Sequence, residues 1–154
     1  METAPRSYVL VLHMSREAHL RVAQLRAHGF KAGFYCYVGS ARGPGGLRAR
    51  LSRHLRQYKK PHWHIDYLLP HAAVLEVWTV PSTERLECLS AQTLLGMPGA
   101  EVLNPGFGSS DCRCQTHLVY FSALRSVRDF CGRLRSSSPG IPALTRTLQQ
   151  SASS

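Results

Sequence analysis

Five short apolar runs constrain the fold of this chain more than any other feature of its sequence. Each run is five to seven residues long, and β-branched or aromatic residues are frequent among them. Runs of this length, bounded by glycine, proline or polar residues, are typical of buried strands. We therefore predict strands at Tyr8–Leu12, Gly33–Val38, His64–Leu69, Val74–Val80 and His117–Phe121.

Four segments outside these runs have helical signals, and in one of them Leu47, Leu51 and Leu55 recur every four residues. Ser15 can cap the first of them, and Gly29 can end it. We predict helices at Arg16–His28, Leu47–Lys60, Glu84–Leu95 and Ala123–Leu134. Strands and helices in this order indicate an α/β (α+β) fold, a small mixed, mostly antiparallel sheet flanked by helices.

The length of 154 residues, of which 44% are hydrophobic, fits one domain, which we place at residues 5–134. From Arg135 onward Ser, Pro and Gln are frequent, so we predict a flexible tail at 135–154. The apolar run near the start is too short for a signal peptide or a membrane span. Five irregularly spaced cysteines argue against a secreted disulfide framework. We expect an intracellular protein, cytoplasmic or nuclear, with reduced thiols and no membrane partner.

Positive charge is concentrated in one segment of the chain. Lys and Arg total 19 against 9 Asp and Glu, a formal net charge of +10, and no acidic residue lies between residues 42 and 60. Such an excess attracts polyanions, and nucleic acid comes before an acidic membrane as the partner. A solvated helix face is the ordinary alternative. The candidate nucleic-acid-binding residues are Arg42, Arg48, Arg53, Arg56, Lys59, Lys60, His62 and His64.

Tyr37-Val38-Gly39, followed by the predicted helix that carries Arg50, resembles the second half of the GIY-YIG nuclease motif. Tyr8 is similar to the tyrosine of the first half. A rival pairing uses Gly33-Phe34-Tyr35, but it puts both halves on one strand, whereas the family has them on neighbouring strands. Longer blocks at 33–41, 62–69 and 106–117 resemble a branch of this superfamily that is also found fused to base-excision glycosylases.

The resemblance implies roles for individual residues. Glu87 is the implied ligand of a divalent ion, Mg²⁺ or Mn²⁺, and Arg50 would neutralise charge on the scissile phosphate. Tyr8 or Tyr37 would orient or deprotonate the attacking water. His54 is a further candidate catalytic residue. Each of these residues also has a plain structural interpretation, as a packed tyrosine, a first-turn glutamate or a solvated cation.

Histidine and cysteine are dense in two places. In a strand, His62, His64 and Asp66 share one face, where they could line the cleft beside Arg50 or simply bond within the sheet. Cys112 and Cys114 with His117 could hold Zn²⁺, but no CxxC pair is present, so zinc ranks below magnesium. A tight turn is expected to bring Ser110 and Asp111 near the site.

These observations favour a metal-dependent endonuclease that cuts phosphodiester bonds in DNA, with structured or damaged DNA before a defined sequence and DNA before RNA. One alternative is a non-catalytic nucleic-acid-binding module on the same fold. The other is a zinc-stabilised interaction domain.

Overall fold

The computed structural model describes residues 7–21, 27–40, 64–80, 86–107, 115–137, 140 and 145–148. Its elements, in chain order, are β1 (Ser7–Met14), β2 (Ala18–Arg21), β3 (Ala27–Phe30), β4 (Gly33–Ser40), α1 (His64–Leu68), a 3₁₀ turn (Leu69–His71), β5 (Ala73–Val80), α2 (Glu87–Leu95), β6 (Leu118–Phe121), α3 (Val127–Ser137) and β7 (Thr145–Leu148).

The central sheet has five strands in the order β6-β4-β1-β5-β7, and every described pair in it is antiparallel. β2 and β3 form a separate antiparallel pair. The predicted fold class is confirmed, as are the strands over Tyr8–Leu12, Gly33–Val38 and Val74–Val80. β1 lies in the middle because its residues are apolar on both sides, which suits a strand covered on both faces.

Two core clusters lie on opposite faces of the sheet. Alternate residues of β1 point to opposite sides, so Tyr8, Leu10 and Leu12 enter the first cluster while Val9 and Val11 enter the second. The first cluster is covered by α1 and by the β2–β3 pair. The second cluster is covered by α2 and α3, through Ala91, Leu94, Phe130 and Leu134.

The helix predicted over Arg16–His28 is wrong, because β2 and β3 occupy both ends of that segment. Ala18 and Leu20 pack against the first cluster, while His19 and Arg21 between and after them are exposed. This alternation has the two-residue period of a strand. Phe30, the last residue of β3, is fully buried and holds that end of the pair in the core.

The strand predicted over His64–Leu69 is also wrong, since His64–Leu68 is α1. Ile65, Leu68 and Leu69 are buried at spacings of three and four residues, the spacing of one helix face. His64 and Asp66 therefore do not share a face in the way that alternate residues of a strand do.

Segment 135–154, predicted as a flexible tail, contains the last residues of α3 and the whole of β7. β7 pairs with β5 and forms one edge of the sheet. Within the described part of the chain, no helix has the length and apolar character needed to cross a membrane.

Candidate functional site

The first residue of β1 positions the start of α2. Ser7 lies opposite Ser40 of β4 on one side and Val80 of β5 on the other. The Ser7 hydroxyl oxygen accepts a hydrogen bond from the backbone N–H of Leu86 at 3.3 Å. We call the part of the sheet around Ser7, Ser40 and Val80 the Ser7 end. α2 therefore begins at this end, on the side of the second core cluster.

Tyr8 and Gly39 are paired across β1 and β4 at the Ser7 end. The Tyr8 ring lies so close to Gly39 that a Cβ atom at position 39 would overlap the ring and its hydroxyl group. Tyr8 is only 1% exposed and belongs to the first core cluster. Glycine at position 39 is thus explained by the approach of an aromatic side chain.

Tyr37 and His64 meet through a shared neighbour, Phe107. The ring centroids of Tyr37 and Phe107 are 6.2 Å apart, and those of His64 and Phe107 are 5.6 Å apart, both edge-on. Asp66, also on α1, is 2% exposed. Tyr8, Tyr37 and α1 therefore lie on the same face of the sheet, the face of the first core cluster.

Glu87 and His117 come together on the opposite face. His117 lies next to Val38, whose N–H donates to the His117 carbonyl at 2.9 Å, and both side chains are on the second side by strand alternation. Burial lowers the pKa of the His117 imidazole below its usual value, and the nearby Glu87 carboxylate partly opposes this shift. Both side chains are nearly buried, at 7% and 9% exposed.

The described members of the predicted site, Tyr8, Tyr37 and Glu87, are divided between the two faces of the sheet. Tyr8 and Tyr37 are on the first face, whereas α2, which begins with Glu87, packs on the second. The rival tyrosine, Tyr35, lies on β4 with Tyr37, and Tyr8 lies on the neighbouring strand. The expected arrangement of the two tyrosines on adjacent strands is therefore present.

Most of the predicted cations and the predicted cysteine ligands lie outside the described residues. These are Arg42, Arg48, Arg50, Arg53, His54, Arg56, Lys59, Lys60, His62, Ser110, Asp111, Cys112 and Cys114. The basic segment is nevertheless joined to the sheet at a defined place, because residue 41 follows Ser40 directly in the chain.

Ser90 is a residue of this region that sequence analysis did not single out. It lies three residues after Glu87 and is therefore on the same side of α2. It is completely buried, and its hydroxyl group has no hydrogen-bond partner among the described residues. A serine inside a helix gives no distinctive signal in a sequence, so only the packing of α2 against the sheet identifies it.

Glu87 carries a carboxylate, the kind of ligand that magnesium and manganese bind. These ions bind through one or two carboxylates and keep several water molecules, and Glu87 offers one carboxylate near the surface of the second face. No group of three or more His, Cys, Asp or Glu side chains is close enough to hold a metal among the residues that the structure describes.

The prediction of reduced thiols is wrong for Cys88, which is disulfide-bonded. Cys36 is free and buried, and Cys131 is free and half-buried. Spacing in the sequence could not reveal the bond, because a disulfide depends on the distance between Cα atoms in space and on the direction of the side chains. Cys88 directly follows Glu87, so the first turn of α2 is covalently held.

Comparison with known proteins gives one positive result. Searches of curated proteins and of solved structures found no match to this chain. A family described as "Domain of unknown function DUF123" matches residues 7–138, which include the strands from β1 to β6 and all three helices. The chain therefore belongs to the DUF123 family.

Proposed function

We propose that this protein is a metal-dependent endonuclease that hydrolyses phosphodiester bonds in DNA. The observation that carries the proposal is the position of Glu87. It is a nearly buried carboxylate at the start of α2, at the end of the sheet from which the basic segment 41–60 continues. A phosphodiesterase needs both a metal-binding carboxylate and cations for the phosphate backbone. The proposal is supported because Glu87 lies at the same end of the sheet as Ser40, the residue from which the basic segment continues.

The resemblance to GIY-YIG nucleases supports the assignment of roles. Glu87 would hold Mg²⁺ or Mn²⁺, which polarises a phosphate oxygen and stabilises the leaving group when bound. Arg50 would pair with the scissile phosphate, a task that suits its planar fork of donors. The resemblance gives Tyr8 or Tyr37 the task of orienting or deprotonating the attacking water, and this assignment requires a hydroxyl group to act from the face of the sheet opposite to α2. A tyrosine hydroxyl ordinarily has a pKa of about 10, so it acts as a base near neutrality only beside cations.

The test is a panel of branched, flapped, single-stranded and duplex DNA, with an RNA duplex for comparison, incubated with and without Mg²⁺ or Mn²⁺. Glu87→Gln should lower the cleavage rate by about 100-fold or more while binding in chelator persists, since one neutral amide cannot replace a ligand carboxylate. Glu101→Gln is the matched control, because Glu101 is exposed and paired with Lys31 at 3.3 Å. Cleavage that survives Glu87→Gln contradicts the metal assignment.

A second candidate is a non-catalytic nucleic-acid-binding module. It is favoured by the burial of Tyr8 and Tyr37, which are 1% and 6% exposed, and by their position on the face opposite to α2. A pure binder would show affinity that falls steeply with salt and no cleavage of any substrate with either metal. A nucleic-acid partner of either kind also implies a location inside the cell.

A further inference from the structure

α3 has two polar flanks of different character. Phe130 and Leu134 are fully buried and define its inner side. At 100° per residue, Asp129 and Arg133 project from one flank, and Arg128 and Arg135 project from the other. Arg128 and Arg135 are seven residues, or about 10.5 Å, apart along the helix axis. We call Arg128, Gly132 and Arg135 the arginine flank.

The arginines of this region differ in whether their charge is already engaged. Arg133 donates to the Asp129 carboxylate at 3.2 Å and to the Gly96 carbonyl at 3.4 Å. Arg125 donates to the Pro98 carbonyl and lies over the Phe121 ring.

Arg128 and Arg135 are exposed, and neither guanidinium has a hydrogen-bond or ion-pair partner within the residues that the structure describes. Asp129, the acidic residue of the helix, is engaged by Arg133. The positive charge of the arginine flank is therefore available to a partner.

Gly132 lies between the two arginines, and nothing in the described part of the chain requires glycine there. A Cβ atom at this position would meet no described atom within 4 Å, and its backbone is ordinary α-helix. Glycine in a helix interior is less favourable than alanine because it has more conformational freedom to lose. The missing side chain leaves bare helix backbone between two cations, the arrangement that admits close approach of another backbone.

We propose that the arginine flank of α3 is a second contact surface for the sugar–phosphate backbone of a nucleic acid. The inference rests on the proposed nucleic-acid function and extends it to a part of the chain away from the basic segment 41–60. α3 packs beside α2 on the second face of the sheet, so the flank lies on the layer of the molecule that contains Glu87.

A membrane surface fits these observations less well. Helices that lie on membranes insert large apolar side chains between lipids, and the large apolar side chains of α3 are buried in the core instead. Among the described residues, the large hydrophobic side chain that is exposed is Leu124, ahead of the helix. Two cations beside exposed helix backbone suit the phosphates of a nucleic acid, because contacts to phosphates do not require apolar side chains to be inserted into the partner.

The test compares two double variants of the full chain that lose the same charge. Arg128→Gln/Arg135→Gln removes the arginine flank, and Arg125→Gln/Arg133→Gln removes two cations that already have partners. Binding to labelled duplex and single-stranded DNA is measured by fluorescence anisotropy from 50 to 300 mM salt, in chelator. Loss of two phosphate contacts should lower the slope of log affinity against log salt by about 1.8 for duplex DNA, with a much smaller change in the control.

Gly132→Gln tests close approach without changing charge. Glutamine favours helix more than glycine does, so we expect a higher melting temperature together with weaker DNA binding by several-fold. Gly132→Ala should raise the melting temperature with a smaller effect on binding. Weaker binding in a more stable protein cannot be attributed to misfolding.

The outcomes separate this inference from the proposed function. If the wild type binds DNA but the two double variants have the same slope, the arginine flank is not a contact surface, whereas the proposed function stands. If the wild type binds no nucleic acid, both proposals fail. If anionic vesicles compete with DNA and their binding depends on Arg128 and Arg135, the flank recognises membranes and the inference is wrong.

Discussion

Gly39 links the conformation of one strand to the position of an aromatic ring. Its lack of a side chain lets the Tyr8 ring and hydroxyl group lie against β4 at position 39, next to Ser40 at the Ser7 end. At the scale of single residues, the glycine of the Tyr37-Val38-Gly39 motif is thus needed by packing as well as by any role in catalysis. Gly33 has a comparable neighbour, since a Cβ there would overlap the Tyr120 ring.

Gly39→Ala should lower the free energy of unfolding by about 1–3 kcal/mol, because the Tyr8 ring must move within a packed core. Gly132→Ala is the control, and it should raise the same quantity by roughly 0.5–1 kcal/mol because its site is open and helical. Urea unfolding followed by far-ultraviolet circular dichroism measures both. Equal stability of wild type and Gly39→Ala would show that the ring is not confined by position 39.

At the scale of elements, the contact between α2 and the start of β6 should make the free energy of unfolding depend on pH. Burial lowers the pKa of His117 in the folded protein, and an unfolded histidine has a pKa of about 6.5. The unfolded state therefore binds protons more readily, and the free energy of unfolding should fall as the pH drops below about 6.5. Above that pH the neutral imidazole adds no pH dependence.

His117→Gln should flatten this part of the stability curve, because glutamine does not titrate. Chemical unfolding in chelator at several pH values from 8 to 5 measures the slope. The difference between the two proteins at pH 8 serves as the control for lost packing. A wild-type curve parallel to that of His117→Gln would contradict a buried, neutral His117.

The elements of the central sheet could be predicted from the sequence because apolar runs with β-branched residues specify buried strands almost locally. The β2–β3 pair and α1 could not be predicted. Their segments are short, and tertiary contacts rather than local sequence decide whether such segments form helix or strand. In the sequence alone, Ala18 and Leu20 are compatible with a helix. Their packing against the first core cluster, with exposed residues in alternate positions, is what makes this segment a strand. Spacings of three and four among Ile65, Leu68 and Leu69 were the available signal for α1.

The elements that carry the described candidate site residues were predictable, but the arrangement of those residues was not. Glu87 was expected at the start of a helix, and Tyr8 and Tyr37 were expected on neighbouring strands, as they are. Which face of the sheet α2 covers depends on long-range packing, so the division of Tyr37 from Glu87 between two faces could not be derived. Ser7, which accepts a hydrogen bond from Leu86, and Ser90, which lies three residues after Glu87, had no sequence pattern that distinguishes them from other serines.

At the scale of the whole molecule, the three described cysteines differ in how well the fold protects them from chemical modification. Cys36 is buried in the second core cluster, where burial and the nearby Glu76 raise the pKa of its thiol to about 12, although Arg125 acts in the opposite direction. Cys131 is a half-buried thiol on α3, and Cys88 is disulfide-bonded. Access to Cys36 therefore requires the sheet and its helices to separate.

Iodoacetamide should modify Cys131 in the native protein, Cys36 only after denaturant is added, and Cys88 only after reduction, because the thiolate is the reactive form. Peptide-resolved mass spectrometry assigns each site. Modification of Cys36 in native buffer at the rate of Cys131 would mean that the core opens far more readily than its burial indicates.

The central place of β1 also governs how the protein can be handled. β1 starts at Ser7, beside the start of α2, so a charged tag close ahead of β1 would compete with the polyanionic ligand that we propose. β7 runs from Thr145, opposite Thr79, to Leu148, opposite Glu76, so its last residue is farther from that end than its first. Affinity handles and fluorophores for the binding assays therefore belong after β7.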